Sequence, residues 1–454
     1  MDQSRPKTHA GSRRWLVIGV AAAILAALLV WAANRETATA KLIDQRLAEL
    51  RAAGEPLDSA ALAKILPLPP PELDATVLLK DALAFAHTNR APGLTPIVMS
   101  GPPLAGTQAI DAATMKVLRR HYEESAAITN LLPVLTPGTR FGEDWSQGVL
   151  NAKTVSFFSV RETIQMLSTR ALYAAEAGDT EGATGMIERS FRFSSAVPSD
   201  SSLVCHMIRK ACVGLACTMV ERCLNRVQFS DAQLERMLAS MPPATNDLSG
   251  TLRVEHCMAV SVFSDVRAGK RLDDLLYPGT QQPWWKRTAK RLWWPRNEYN
   301  DKDFLAYLDL MPRALDSTTL PPRRAIDECT HLFKTYASNA TCEVAEAAIP
   351  NWTSAIKKHH EIEAQLEATR AALLVERFRH ATGHLPESLN AMAPSLTRAV
   401  PLDAFDGQPL RFKPLTPGYI IYSVGPDGVD DGGLAKTTIP PQTNYDITVT
   451  VQRP

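Results

Sequence analysis

Apolar residues recur at three- and four-residue spacing from Lys41 to about Thr369, and after that the spacing changes to strict alternation. The first period predicts helices and the second predicts strands. "KLIDQRLAELRAAG" closes on Gly54, as a helix with a C-terminal glycine does, and "ELDATVLLKDALAFAHT" continues the helical pattern. Proline-rich joints at "LPLPPPE" and "MSGPPLAG" separate these pieces. Between Trp145 and Asn225, the stretch "VRETIQMLSTRALYAAEAGDTEGATGMIERSFRFSSAV" reads as helix, Gly-Asp turn, helix. Gly178 is suited to a left-handed cap there, and Asp179 to the N-cap of the second helix. A last long helix is expected from about Ser354 through "HHEIEAQLEATRAALLVERFRHATG" to Gly383. It is polar at first and rich in Ala, Leu and Val later, so only its last turns are expected to pack deeply.

The strands follow. "LRFKPLTPGYIIYSVG" holds two alternating runs around a Pro/Gly turn and predicts a β-hairpin, and "YDITVTVQ" adds a third antiparallel strand. The fold class is therefore α+β: a large all-helical domain over 34–350, then a C-terminal domain over 351–454 in which a long helix packs on a small antiparallel β-sheet. The Gly-Asp helix pair resembles the unit of tetratricopeptide-type repeats. No second copy recurs at a ~34-residue period, so the region is read as a helical array.

One apolar run breaks the amphipathic rule. "WLVIGVAAAILAALLVWAA", residues 15–33, is uncharged over 19 positions and as a helix spans ~28 Å, close to the ~30 Å of a bilayer core. Trp15 and Trp31 sit where interfacial indoles sit. The run predicts a single-pass transmembrane helix, with a cleaved signal peptide and a buried core helix as the alternatives. Of the flanking Lys and Arg, Arg5, Lys7, Arg13 and Arg14 before the run are matched by Arg35, Lys41, Arg46 and Arg51 after it. The Arg13-Arg14 pair against the membrane places 1–14 in the cytoplasm and the bulk of the chain outside the inner (cytoplasmic) membrane.

That placement permits disulfides. Cys205, Cys212, Cys217 and Cys223 fall in one helical stretch, its closest pair five residues or ~7.5 Å apart along the axis, too far to bridge within a continuous helix. Burial as small apolar side chains is the plainer reading of all seven cysteines. With 49 basic against 48 acidic residues, the chain has no electrostatic reason to bind nucleic acid. "PWWKRTAKRLWWPRNEY", residues 283–299, sets basic residues between tryptophan pairs; it suits an anionic membrane surface or packing on the helical domain.

The chain's last hundred residues carry a resemblance. Leu385-Pro386-Glu387-Ser388-Leu389 after a long helix, then Asp403 to Pro409, a hairpin, and Ser423 to Gly428 follow one another in this order. The series resembles the C-terminal domain of type II secretion major pseudopilins. In that family the loop after the hairpin holds a structural calcium. The resemblance thus implies Ca²⁺ at Asp427, with Asp430, Asp431 and Asp446 as further ligands. Calcium takes six to eight oxygens, and a cation would offset the mutual repulsion of these acids. The glycine cleavage site and the glutamate near the start of the pseudopilin apolar helix have no counterpart here, and ~310 helical residues separate anchor from module. The whole chain is more similar to bacterial membrane-anchored proteins of unassigned role that carry such a tail.

Catalytic motifs are missing: no Gly-x-Ser-x-Gly elbow, no phosphate loop, no dinucleotide fingerprint and no His-Glu-x-x-His. His359 and Glu363 lie one helical turn apart, as do His380 and His384, but two ligands do not make a metal site. Glu255, His256 and Cys257 are adjacent on a helix and point apart. The expectation is a non-catalytic, membrane-anchored envelope protein with a helical interaction domain, whose protein partners dock on that domain or on the tail. A component or accessory of a type II secretion or pilus-like machine is one alternative. An extracytoplasmic hydrolase with a site in the helical domain is the other.

Overall fold

The computed structural model describes residues 38–89, 108–132, 135–150, 152, 156–245, 248–276, 298–349, 351–392, 400–436 and 444–453. The apolar run 15–33 lies outside the described residues, and so does the Trp/basic segment up to 297. The chain forms two compact units. One draws on the described parts of 1–55, 262–310 and 336–348, the other on 56–261, 311–335 and 349–454.

The first unit is held by an aromatic cluster. Phe263 stacks on Phe304 with centroids 4.6 Å apart, and Tyr307 meets Tyr336 edge-on. The Tyr336 hydroxyl donates to the Asp303 carbonyl, and the Asp303 carboxylate accepts from the Thr341 N–H and hydroxyl. Arg267 ties this core to the helix over 38–52 through Asp44 and the Ala40 carbonyl.

The second unit is built on α1 (Phe157–Glu176), α2 (Thr180–Ala196), α3 (Leu203–Leu224), α4 (Asp231–Ser240) and α5 (Trp352–Thr382). The Gly-Asp turn forms as its chemistry demands. Gly178 takes φ +76°, and the Asp179 carboxylate accepts from the Gly182 N–H at 2.8 Å, which starts α2. α3 packs against α1, α2 and α5. Among the described residues it is the single helix long and apolar enough to cross a membrane, and 67% of its most apolar window is buried inside the protein. All four of its cysteines are buried, and all seven in the chain are free thiols.

α5 ends on Gly383 in the left-handed region (φ +79°), as its sequence predicts. Its burial is not confined to the later turns: 371–376 are buried as expected, and much of the polar first half is buried too, including His359, His360, Glu361 and Glu363, whereas the final turn from His380 is exposed. The reason is that α3 supplies partners for His359 and Glu363, and Tyr445 one for Glu361.

The strands β1 (Arg411–Pro414), β2 (Tyr419–Ser423) and β3 (Ile447–Val451) form an antiparallel meander in the order β1-β2-β3. Tyr422 faces Arg411 on one side of β2, and Val451 faces Tyr419 on the other. Tyr419, Ile421, Val449 and Val451 join the α5 core. Each such buried aliphatic side chain contributes ~1.5–3 kcal/mol. The loop over 425–436 folds back across the opposite face, so close that a Cβ on Gly433 would lie 2.9 Å from Ile420 Cδ1. β2 is therefore buried along its whole length.

The outer edge of β3 is closed by side chains instead of a further strand. The Thr450 N–H donates to Glu221 at 2.7 Å, the Asn225 amide donates to the Thr450 carbonyl at 2.8 Å, and the Gln452 N–H donates to Asn225 at 2.7 Å. An exposed edge is a template for aggregation, and α3 removes this one.

Candidate functional site

Two regions of the second unit concentrate ionisable chemistry. The first is the seam between α3 and α5. The His206 and His359 rings meet at 3.0 Å, Nε2 to Nδ1, and the Lys210 ammonium pairs with the Glu363 carboxylate. Both contacts join residues 153 apart in sequence, so the two helices run parallel here with a constant offset. One turn further on, a Cβ on Gly214 would lie 2.6 Å from Ile362 Cδ1, which shows how close the helices come.

Hydrogen bonds fix the seam from outside as well. His206 Nδ1 faces the Ser199 carbonyl at 2.9 Å, and the second Glu363 oxygen accepts from the Thr245 N–H at 2.8 Å. Since the carbonyl needs a donor, His206 carries its proton on Nδ1 and accepts at Nε2; His359 then donates from Nδ1. Next to this group, Glu143 accepts from the Ser202 hydroxyl at 2.9 Å and the Cys205 thiol at 3.2 Å. Glu255 accepts from the Leu203 N–H at 2.7 Å, at the start of α3.

Burial governs the protonation states. His206 is 0% exposed and desolvation holds its pKa down to about 4; His360 and His256 fall to about 4 for the same reason. His359 is pushed well below the usual histidine range, by burial first and by the Lys210 charge next. Lys210 is also lowered by burial, with Glu363 opposing the shift. Burial raises the Cys205 thiol, and the adjoining Glu143 charge raises it further, so it stays a neutral donor and not a nucleophile. These groups have the inventory of a catalytic centre, but His206, His359, Lys210 and Glu363 are each at most 3% exposed.

The second region is the acidic loop of the tail. Asp446 is spent on backbone: it accepts from the N–H groups of Asp431, Gly433 and Leu434, the shortest at 2.7 Å. Burial raises its pKa, and those same bonds oppose the rise. Asp430 accepts from the Gly432 N–H, and its other oxygen lies 3.9 Å from Arg411. Asp427 accepts from the Val429 N–H through one oxygen. The remaining oxygens of Asp427 and Asp431 are buried with no hydrogen-bond partner. Two of the four acids thus offer an uncommitted oxygen to a cation and two do not. Among the described residues no three His, Cys, Asp or Glu side chains are grouped to hold a metal.

Cations from elsewhere in the chain offset much of the loop's charge. Arg411 reaches Asp430, Lys413 donates to the Gly432 carbonyl, and the Arg323 guanidinium lies so close to Gly428 that a Cβ there would be 2.6 Å from it. The loop is moored to α5 by Tyr445, whose hydroxyl donates to Glu361 at 2.6 Å while Lys436 lies over its ring.

Asp403 is the residue that organises the module, and it was visible in sequence only as part of a turn. Fully buried, it accepts from the N–H groups of Phe405 and Val424, from the Ser423 hydroxyl and from Arg411. His206 and Lys210 were also missed. Their signal was present: two polar residues one turn apart inside an apolar helix, matched by His359 and Glu363 one turn apart. His380 and His384 are exposed, and His384 Nδ1 faces the Leu385 carbonyl. Compared with models of known protein families, with curated proteins and with solved structures, the chain matches none.

Proposed function

We propose that this is a non-catalytic envelope protein, anchored in the cytoplasmic membrane by residues 15–33, with 1–14 in the cytoplasm and the remainder outside. Its helical body presents an interaction surface, and its pseudopilin-like tail serves as a structural module of that body. One observation carries the reading: the richest set of catalytic-type groups is a closed ion and hydrogen-bond network between α3 and α5, where His206 pairs with His359 and Lys210 with Glu363, and His359 Nε2, which has no partner, is itself sealed from solvent. A hydrolase needs such groups to meet substrate, and these meet each other. The edge bonds from Asn225 and Glu221 to β3 support a tail built into the body rather than hung from it.

Calcium has a narrower place in this reading than in the sequence. It would rest on Asp427 and Asp431, whose free buried oxygens are its support, together with backbone carbonyls of the glycine-rich loop. Its contribution would be to rigidify the loop. A role beside a type II secretion or pilus-like assembly is the second reading, favoured by the ordered Asp403 turn, hairpin and acidic loop.

The test is alkaline extraction of membranes from cells making the full chain, protease treatment of spheroplasts, and photo-crosslinking from the helical body. An extraction-resistant, externally cleaved chain that crosslinks to discrete proteins is expected. Recovery in the soluble fraction, or protection from external protease, sinks the anchored reading.

A further inference from the structure

Beside α2 lies a groove of about 360 Å³. Leu132, Leu135, Met186 and Phe193 give it an apolar floor, and Arg189, Arg192 and Arg236 stand at its walls with Glu181 and Glu188. Three guanidiniums face two carboxylates, and both carboxylates are taken by one of the three: Arg236 bonds Glu181 at 2.7 Å and Glu188 at 2.6 Å. Among the described residues neither Arg189 nor Arg192 is paired with a carboxylate. Arg192 reaches only the Leu135 carbonyl at 3.5 Å, and the Arg189 Nε is buried without a hydrogen-bond partner. Arg170, behind the groove on α1, adds positive potential; its own bonds go to the Tyr122 carbonyl and the Ser125 hydroxyl.

An unpartnered, half-buried guanidinium is costly unless something arrives to accept from it. What arrives must be anionic at the rim and apolar at the floor. Its backbone also has room, because α2 carries glycine at 185, where a Cβ would meet nothing nearer than Arg189 Nη1 at 3.6 Å. Glu181 and Glu188 at the wall disfavour a phosphate-rich membrane surface, whereas peptide N–H groups can donate to them. We infer that this groove binds an acidic peptide segment of a partner protein, its carboxylates on Arg189 and Arg192 and an apolar side chain on Leu132, Met186 and Phe193. The inference rests on the interaction reading above and gives that surface its partner chemistry.

The probe is a fluorescein-labelled octapeptide with two adjacent glutamates flanked by leucines, titrated with detergent-solubilised full-length protein. The controls are the same peptide with lysine for glutamate and with serine for leucine, and anionic vesicles. Saturable binding is expected for the first peptide alone, weakened at least ~10-fold by Arg189→Gln, by Gly185→Leu and by ~0.5 M salt. Gly185→Leu places a better helix former in α2 and fills the groove, so an unchanged melting curve separates blockage from unfolding. No saturable binding, equal binding of the lysine peptide, binding untouched by both variants, or binding to vesicles alone overturns the proposal. If it falls while the chain still fractionates with membranes and crosslinks to proteins, only the groove's assignment is lost; if those fail too, the reading beneath it is lost.

Discussion

The α3–α5 seam and the acidic loop both gather ionisable side chains, and they manage them in opposite ways. In the seam the charges are sealed and satisfied side chain to side chain, across 153 residues of sequence. In the loop the hub, Asp446, is buried and satisfied by backbone N–H groups within about fifteen residues, while Asp427 and Asp431 each keep one oxygen without a partner. The first arrangement depends on two helices keeping register; the second depends on local turns. Loss of a partner is therefore expected to be severe in the seam and mild in the loop.

The largest effect is expected from Lys210→Met, which leaves Glu363 buried and unpaired and should cost about 3–5 kcal/mol in denaturant unfolding. Lys210→Met with Glu363→Met should return most of that stability, since apolar replacement of a whole buried pair is often neutral. A double variant as unstable as the single one would mean that the pair is not the seam's weak point. Next is Asp403→Asn, which disturbs four accepted bonds at once and should cost about 2–3 kcal/mol.

A third effect is pH dependence. His206, His256 and His360 have folded pKa values near 4, below the unfolded 6.5, so the stability they contribute is complete above pH ~6.5 and is lost as pH falls towards 4. Glu221 has the opposite sign. Burial lifts it to about 7, so its contribution is full below ~4.5 and is lost as pH climbs to 7. His121 and His359 are lowered by burial too and act with these three, while Glu176, Glu255 and Asp446, raised by burial, act with Glu221; with the histidines in the majority, the melting temperature is expected to drop on acidification below 6.5. Glu221→Gln should steepen that drop, because it removes one opposing contribution; a flatter profile would contradict the assignment. The smallest effect belongs to the loop: Asp430→Asn should change stability by less than ~0.5 kcal/mol, and its melt would show it.

What could be read from the sequence was local. The Gly178-Asp179 turn, the Gly383 cap and the three strands follow from residue chemistry within a few positions, and each stands where the pattern put it. The depth of α5 did not follow, because whether His359 and Glu363 face water depends on His206 and Lys210 in a different helix. The same holds for Asp403, whose weight comes from Ser423, Val424 and Arg411 converging on it. The loop acids were legible as a cluster, but not the division of labour among them, which is set by where Asp446 meets the turn and by Arg411 and Arg323 arriving from outside it.

The closure of α3 by β3 has a consequence in time. Arg453 bonds the Leu224 carbonyl at the end of α3 from 229 positions downstream. At ~5–20 residues per second, the ribosome needs on the order of tens of seconds between making the helix and making its last partner. Until Thr382 is made, a membrane-length apolar helix has neither α5 nor β3 to cover it. In a chain exported as proposed, Arg209 and Lys210 would then act as a guard, because a charged residue near the centre of a spanning helix costs ~2.5–3.5 kcal/mol. On that proposal, Lys210, which makes the finished core demanding, is also a residue that discourages the nascent chain from stopping in the membrane at the wrong place.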